Sequence, residues 1–110
     1  MEKILVLGNK GMLGHVLFEE LKAFQQEGNY EVLGVNRNDS NEPNGSYKLD
    51  ASNDASLVEF IRVHKPKYVV NCIGILVEQS LKRPVDAIRM NSLLPHFLDE
   101  LSIAMGFKLI

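Results

Sequence analysis

Three glycines spaced three residues apart follow the first apolar run of the chain, and this feature constrains the fold most. Residues 3 to 7, KILVL, form a continuous apolar segment typical of a central parallel strand that is covered on both faces. Gly8, Gly11 and Gly14 follow directly, and an apolar pattern of helical spacing runs over 13 to 24. A glycine loop between a strand and a helix predicts a phosphate-binding turn, because the first N–H groups of the helix face outward there. The alternative is a tight turn that binds nothing.

The rest of the chain alternates strand and helix patterns. Further strands are predicted over 30–35, 47–49, 67–74 and 107–110, and a polar, turn-rich loop over 36–46. Further helices are predicted to begin near Asp54 and near Pro84, and Gly28 is predicted to end the first one. The apolar residues expected on the three helices are Leu13, Val16, Leu17, Leu21 and Phe24, then Leu57, Phe60 and Ile61 with His64, and then Val85, Ile88, Leu94, Phe97, Leu98 and Leu101.

This alternation predicts the α/β class, as a Rossmann-like doubly wound parallel sheet with about five strands and three main helices. Ligands of such sheets bind at the carboxyl ends of the strands, where the winding reverses. A length of 110 residues suits one domain or part of a larger one.

Composition narrows the class of protein. The net charge is −2, with no basic block, which argues against binding to nucleic acid or to an anionic membrane. The single cysteine, Cys72, excludes an internal disulfide and fits a reducing cytosol. There is no apolar stretch of the roughly 18 residues that a membrane span needs, and no secretory signal pattern. His15, His64 and His96 are isolated, so no metal site is predicted. We expect a soluble, cytoplasmic protein.

Four segments together resemble a known family. GNKGMLG at 8–14, LDASN at 49–53, VVNCIG at 69–74 and MNSLLPHFL at 90–98 are similar, in order and spacing, to the extended short-chain dehydrogenase/reductases. The resemblance is closest to the nucleotide-sugar reductases of the dTDP-4-dehydrorhamnose reductase type. It covers the whole chain but only about the first third of such an enzyme, so we expect residues 1–110 to be the N-terminal part of an NAD(P)-binding Rossmann domain.

The resemblance implies roles for individual residues. The cofactor diphosphate would be held by Gly8, Gly11 and Gly14 with the backbone of Met12 and Leu13. Asp50 would bind the adenine amino group beside the backbone of Ala51; the alternative is an aspartate that stabilises a turn. The ribose and nicotinamide would pass Asn71, Cys72, Ile73 and Gly74. Cys72 is expected to pack rather than to act as a nucleophile, since no basic partner is in view.

The end of the second predicted strand bears on the choice of cofactor. An NAD site usually carries an acid there, about 20 residues past the glycines, for the ribose 2′-hydroxyl. This chain has Asn36 and Arg37 instead, and the first acid is Asp39. Arginine suits a 2′-phosphate, and Lys10 in the glycine loop would add a second charge. NADP(H) is therefore predicted over NAD(H); the alternative is that both cations are solvated surface groups.

Pro95 lies four residues after Asn91 in the third predicted helix. Because proline has no N–H, the carbonyl of Asn91 loses its usual helical donor and needs another. The resemblance places this asparagine beside the active site, where its carbonyl binds a water of the proton relay. The alternative is a kinked core helix with a water in the gap.

The resemblance implies that the parent protein is an NAD(P)-dependent oxidoreductase that reduces a 4-keto sugar nucleotide in polysaccharide biosynthesis. Such an enzyme needs a Ser/Thr and a Tyr-x-x-x-Lys pair, but Tyr30, Tyr47 and Tyr68 are followed four residues later by Gly, Ala and Cys. We therefore expect the truncated chain to be inactive alone and, with its last strand at a sheet edge, to form a homodimer. A sugar epimerase or dehydratase of the same fold, and a non-catalytic NADP(H)-sensing module, stay open as alternatives.

Overall fold

The computed structural model describes residues 1–25, 27–37, 45–73 and 84–110, and it contains one parallel sheet. The strands lie in the order β3-β2-β1-β4-β5 and every neighbouring pair is parallel. Their bounds are β1 Glu2–Leu7, β2 Tyr30–Asn36, β3 Ser46–Lys48, β4 Tyr68–Asn71 and β5 Lys108–Leu109. The winding reverses between β1 and β4, which confirms the Rossmann-like fold and puts the switch point at the carboxyl ends of these two strands.

Helices lie between β1 and β2, between β3 and β4, and between β4 and β5. They are α1 Met12–Phe24, α2 Asp54–His64, α3 Pro84–Ile88 and α4 Leu94–Met105, with a π-helical turn over Arg89–Leu93 between the last two. The start of α2 is capped by the Asn53 side chain, which accepts a hydrogen bond from the Ser56 amide at 3.1 Å. Lys65, in the left-handed region at φ 49°, ends α2 one residue before Pro66. None of the helices in these described stretches combines the length and the apolar character needed to cross a membrane.

Alternating residues of the central strands supply two cores. Leu5 and Leu7 face one side, where they pack with residues of α2 and α4, among them Leu57 and Leu98. Val6 faces the other side, against α1. All three β1 residues are fully buried, because successive side chains of a strand point to opposite faces and helices cover both. This burial explains the unbroken apolar run in the sequence.

The predicted contact face of α1 is wrong in part. Leu13, Val16 and Phe24 are exposed by 68%, 57% and 54%, whereas Gly14 and Phe18 are buried. Leu17 and Leu21 do pack against the core formed by Val6, Phe18 and Val32. The predicted face omitted both buried residues, Gly14, which has no side chain to count, and the apolar Phe18, four residues after it.

Two further helix predictions need correction. Helix α1 ends at Phe24, before Gly28, whose amide only donates to the Phe24 carbonyl at 3.1 Å. The third predicted helix is divided into α3, the π-helical turn and α4, with Pro95 at the second residue of α4, directly after the π-helical turn. Val85 and Ile88 are exposed, whereas the predicted contact residues Leu94 and Leu98 are buried, together with Met90.

Candidate cofactor-binding site

The glycine loop is tied to the sheet by backbone hydrogen bonds. Gly8, at φ 81°, donates from its amide to the Val35 carbonyl of β2 at 2.8 Å. The Gly8 carbonyl in turn accepts from the Gly11 amide at 3.1 Å. Helix α1 then begins, and its first intrahelical bond runs from the His15 amide to the Gly11 carbonyl. The amides of Met12, Leu13 and Gly14 precede this bond and have no acceptor within the helix, which is the arrangement that favours an anion at a helix start.

The three glycines have different surroundings, tested by what an added Cβ would meet. At Gly14 it would overlap the Gly8 carbonyl oxygen, so this glycine allows α1 to pack on the loop. At Gly8 it would lie 3.0 Å from Ile73 Cγ1 and 3.2 Å from the Cys72 carbonyl oxygen. At Gly11 the nearest atom is the Gly8 carbonyl oxygen at 3.5 Å. Gly11 is exposed where the helix begins, and this is the one ordinary van der Waals contact that its Cβ would make.

A buried polar cluster lies behind the loop and consists of Asn9, Asn36 and Ser46. The Asn9 amide nitrogen donates to Ser46 Oγ at 3.0 Å. The Asn36 amide nitrogen donates to Asn9 Oδ1 at 3.1 Å and to Ser46 Oγ at 3.2 Å. Asn36 is only 8% exposed, so its side chain belongs to this cluster. Sequence reasoning missed Asn9 and Ser46. A usable sequence signal is a glycine inside a strand pattern, Gly34, because such a glycine often marks a close approach of another segment. In the structure, an added Cβ at Gly34 would collide with the Asn9 side chain.

Charged side chains gather at the carboxyl ends of β2 and β3. Asp50 Oδ1 accepts from the Ser52 amide at 2.9 Å and from the Ser52 hydroxyl at 2.7 Å. The hydroxyl bond is the largest cause of a lowered Asp50 pKa, and the Arg37 and Arg89 guanidinium groups lower it further. The structure thus brings Arg37 near Asp50, and it adds Arg89, which the sequence did not single out. The turn role considered for Asp50 is present, whereas adenine binding stays a prediction.

Other residues predicted to bind the cofactor lie in the glycine loop, at the start of α1 and after β3. Lys10 is exposed in the glycine loop, and so are the Met12 and Leu13 side chains at the start of α1. Ala51 is buried in the main core, which leaves only its backbone for a ligand. Gly74 lies outside the described residues.

The end of β4 packs directly on the glycine loop. The Cys72 amide donates to the Leu7 carbonyl at 2.9 Å, and Asn71 Oδ1 accepts from the Ile73 amide at 3.1 Å. Cys72 is half-buried, and burial raises the pKa of its thiol. A thiol with a raised pKa is a poor nucleophile, which agrees with a packing role.

Asn91 lies exposed in the π-helical turn. The Leu94 amide donates to the Arg89 carbonyl, five residues earlier, which is the π-helical register. Next to this turn, a groove of about 320 Å³ runs between the start of α2 and α4, and Ala51, Arg89 and His96 contribute to its walls. Within the described parts of the chain, no three His, Cys, Asp or Glu side chains are grouped to hold a metal ion.

Comparison with known families decides the class of the protein. The model of the NAD dependent epimerase/dehydratase family matches residues 4–110. The chain belongs to this family. No curated protein matches the chain in sequence.

Solved structures similar to this family member show the same fold. L-threonine 3-dehydrogenase from Trypanosoma brucei has a TM-score of 0.80 at 20% identity, over 99% of this chain and 35% of that one. UDP-glucose 4-epimerase from Thermus thermophilus, in complex with NAD, gives 0.77 at 22% identity, over 97% and 36%. A dTDP-4-dehydrorhamnose reductase from Clostridium acetobutylicum gives 0.76 at 25% identity, over 97% and 34%. The chain spans about a third of the length of these enzymes, whose names denote three different reactions.

Proposed function

We propose that the chain is the N-terminal, cofactor-binding part of a nucleotide-sugar reductase of the dTDP-4-dehydrorhamnose reductase type. Its substrate would be a 4-keto sugar nucleotide, and its product would serve polysaccharide biosynthesis. The observation that carries cofactor binding is the contrast between Gly14, where an added Cβ would meet backbone, and exposed Gly11, where it would meet one atom at 3.5 Å. The reductase type rests on the resemblance of the four sequence segments. An open glycine at a helix start beside the switch point of the sheet suits a diphosphate.

The residues of this chain would bind and orient the cofactor. The Met12 and Leu13 amides would donate to the diphosphate, with the dipole of α1 behind them. Asn71, Cys72 and Ile73 would line the path of the ribose and nicotinamide, because the end of β4 packs on the loop. When bound, the nicotinamide supplies the hydride for reduction. Asn91, exposed in the π-helical turn, would lie beside the reacting centre and hold a water of the proton relay.

The charges at the end of β2 favour NADP(H). Arg37 is exposed directly after the strand, and Arg89 approaches the same region from the π-helical turn. Both guanidinium groups lower the pKa of Asp50, and a guanidinium group suits a 2′-phosphate because it binds it by charge-assisted hydrogen bonds. Asp50, whose Oδ1 accepts hydrogen bonds from Ser52, would also bind the adenine amino group.

The family match favours a second candidate, an NAD-dependent sugar epimerase or dehydratase. For either reaction we propose that the Tyr-x-x-x-Lys pair and the sugar-binding region belong to a part of the parent protein outside these residues. The 110-residue chain would then bind cofactor without turnover. In a protein that contains that pair, oxidation of NADPH by a 4-keto sugar nucleotide supports the reductase, whereas interconversion of sugar nucleotides without net NADPH oxidation supports the epimerase.

Cofactor binding can be tested on the chain itself by titration with NADPH and NADH, followed by nicotinamide fluorescence. Gly11→Ala should weaken binding of both, because the added methyl group occupies the space assigned to the diphosphate. Arg37→Ala should weaken NADPH binding by about tenfold or more, the worth of a charged hydrogen bond, and leave NADH unchanged. Arg62→Ala is the matched control, since Arg62 is exposed on α2 and bonded to Glu59. Full NADPH affinity in Gly11→Ala would refute the proposed site.

A further inference from the structure

The cluster of Asn9, Asn36 and Ser46 joins three segments that are distant in sequence. Asn9 belongs to the glycine loop, Asn36 is the last residue of β2, and Ser46 is the first residue of β3. Asn9 is 1% exposed and Ser46 is fully buried. Both ends of the Asn9 side-chain amide are engaged, the oxygen by Asn36 and the nitrogen by Ser46.

The backbone around the cluster is bonded as well. The Gly8 and Asn9 amides donate to the Val35 carbonyl, one residue before Asn36. The Gly34 amide donates to the Gly45 carbonyl at 2.9 Å, one residue before Ser46. The absence of a side chain at Gly34 makes room for Asn9 on the sheet. Asn9 is thus the side chain through which the glycine loop, the end of β2 and the start of β3 are held as one unit.

Two parts of the proposed cofactor site follow directly from these segments in sequence. Gly11 lies two residues after Asn9, and Arg37 lies one residue after Asn36. The side-chain hydrogen bonds of the cluster add to the backbone bonds from Gly8 and Asn9 to Val35 in fixing Arg37 relative to the glycine loop. Loss of one buried partner leaves the others incompletely bonded and loosens this connection.

We propose that Asn9 is a positioning residue that sets the discrimination between NADP(H) and NAD(H), because it fixes Arg37 relative to the glycine loop. The inference rests on the proposed function. It assigns no contact between Asn9 and the cofactor. Loss of the Asn9 side chain weakens binding of both dinucleotides through the loop, and it weakens NADP(H) more because Arg37 is released as well.

The test compares Asn9→Ala and Ser46→Ala with the parent chain in calorimetric titrations with NADP⁺ and NAD⁺. Each variant should lower the ratio of NADP⁺ to NAD⁺ affinity by about tenfold, the effect of one lost charged hydrogen bond. The double variant should show little more than the larger single effect, because both changes break one cluster. Asn29→Ala, at an exposed asparagine before β2, and Ile61→Val, which shortens a buried core side chain of α2, should leave the ratio unchanged.

A second measurement does not need the cofactor. In Asn9→Ala, amide hydrogen exchange at Gly8 and Gly34 should accelerate by about tenfold or more relative to Gly106, at the end of α4. An unchanged ratio in Asn9→Ala, or unchanged exchange at both amides, overturns the positioning role. If the parent chain binds neither dinucleotide, the proposed function is overturned and the discrimination role with it, and the exchange data still decide whether Asn9 couples the segments.

Discussion

Replacement of Gly14 by alanine should destabilise the protein, although alanine is the better helix former. An alanine Cβ would overlap the Gly8 carbonyl oxygen and lie 2.8 Å from the Gly8 carbonyl carbon and 3.1 Å from Cys72 Cβ. Real Cβ atoms do not approach backbone this closely, so α1 must move away from the loop. The Gly8 carbonyl is held in place, since it accepts from the Gly11 amide and the Gly8 amide is bonded to Val35.

The size of the effect follows from two opposing terms. Overpacking of a rigid site costs typically 1–3 kcal/mol, and contact with backbone puts this site at about 3 kcal/mol or slightly more. The gain in helix propensity from glycine to alanine offsets about 1 kcal/mol. The net loss in free energy of unfolding is therefore about 2 kcal/mol, which lowers the melting temperature by roughly 8 °C for a domain of this size.

Thermal and urea unfolding, followed by circular dichroism, measure this loss. Gly11→Ala is the matched control, because its Cβ would be 3.5 Å from the nearest atom and its backbone, at φ −76° and ψ 177°, accepts alanine. It should cost less than about 1 kcal/mol, the preference of a helix N-cap for glycine over alanine. Equal stability of Gly14→Ala and the parent chain would show that α1 does not pack on the Gly8 carbonyl as described.

Three further predictions concern α2 and the turn before it. Asn53→Ala should lower the free energy of unfolding by about 1 kcal/mol in urea titrations, because the Ser56 amide loses its cap. Ser52→Ala should raise the pKa of Asp50, as measured by NMR titration, because the hydrogen bond from the Ser52 hydroxyl is the main cause of the lowered pKa. The stabilisation that Asp50 contributes is present above its ordinary pKa of 3.8, and it is lost as the pH falls through the pKa of Asp50 in the folded protein. Burial lowers the pKa of His64 below 6.5, so the unfolded chain takes up its proton first. The melting temperature should therefore drop as pH falls below 6.5, and His64→Phe should reduce that drop.

The sequence was sufficient for the strands and insufficient for the helix contacts. Continuous apolar runs such as 3–7 identify buried parallel strands, because both faces of the sheet are covered. The contact face of α1 depends on Gly14, and an apolar count assigns no weight to a residue without a side chain. Likewise, the helix pattern around Pro95 predicts a disturbance, but the π-helical turn before it is a tertiary outcome, with Met90 drawn into the core.

The candidate site, too, was predictable from the sequence only in part. Local spacing was enough to find the glycine loop and Arg37, since each is a short motif at a known distance from a strand. Asn9 and Ser46 are 37 residues apart and meet only because β3 pairs with β2. Arg89 lies in the π-helical turn, which follows β4 in the chain, and it comes near Asp50 only in the folded protein. Contacts between residues this far apart in sequence depend on the order of the strands in the sheet, and sequence patterns identify strands without giving their order.

The Gly34 position has a consequence for the length of the β1–α1 connection. Surface loops usually absorb an inserted residue at small cost. Here Asn9 fills the space above Gly34, Gly8 is bonded to Val35, and the Gly8 carbonyl is covered by Gly14. One inserted residue would either lift Asn9 out of its place or push Gly14 off the carbonyl. This connection should therefore be a segment in which neither insertion nor deletion is tolerated.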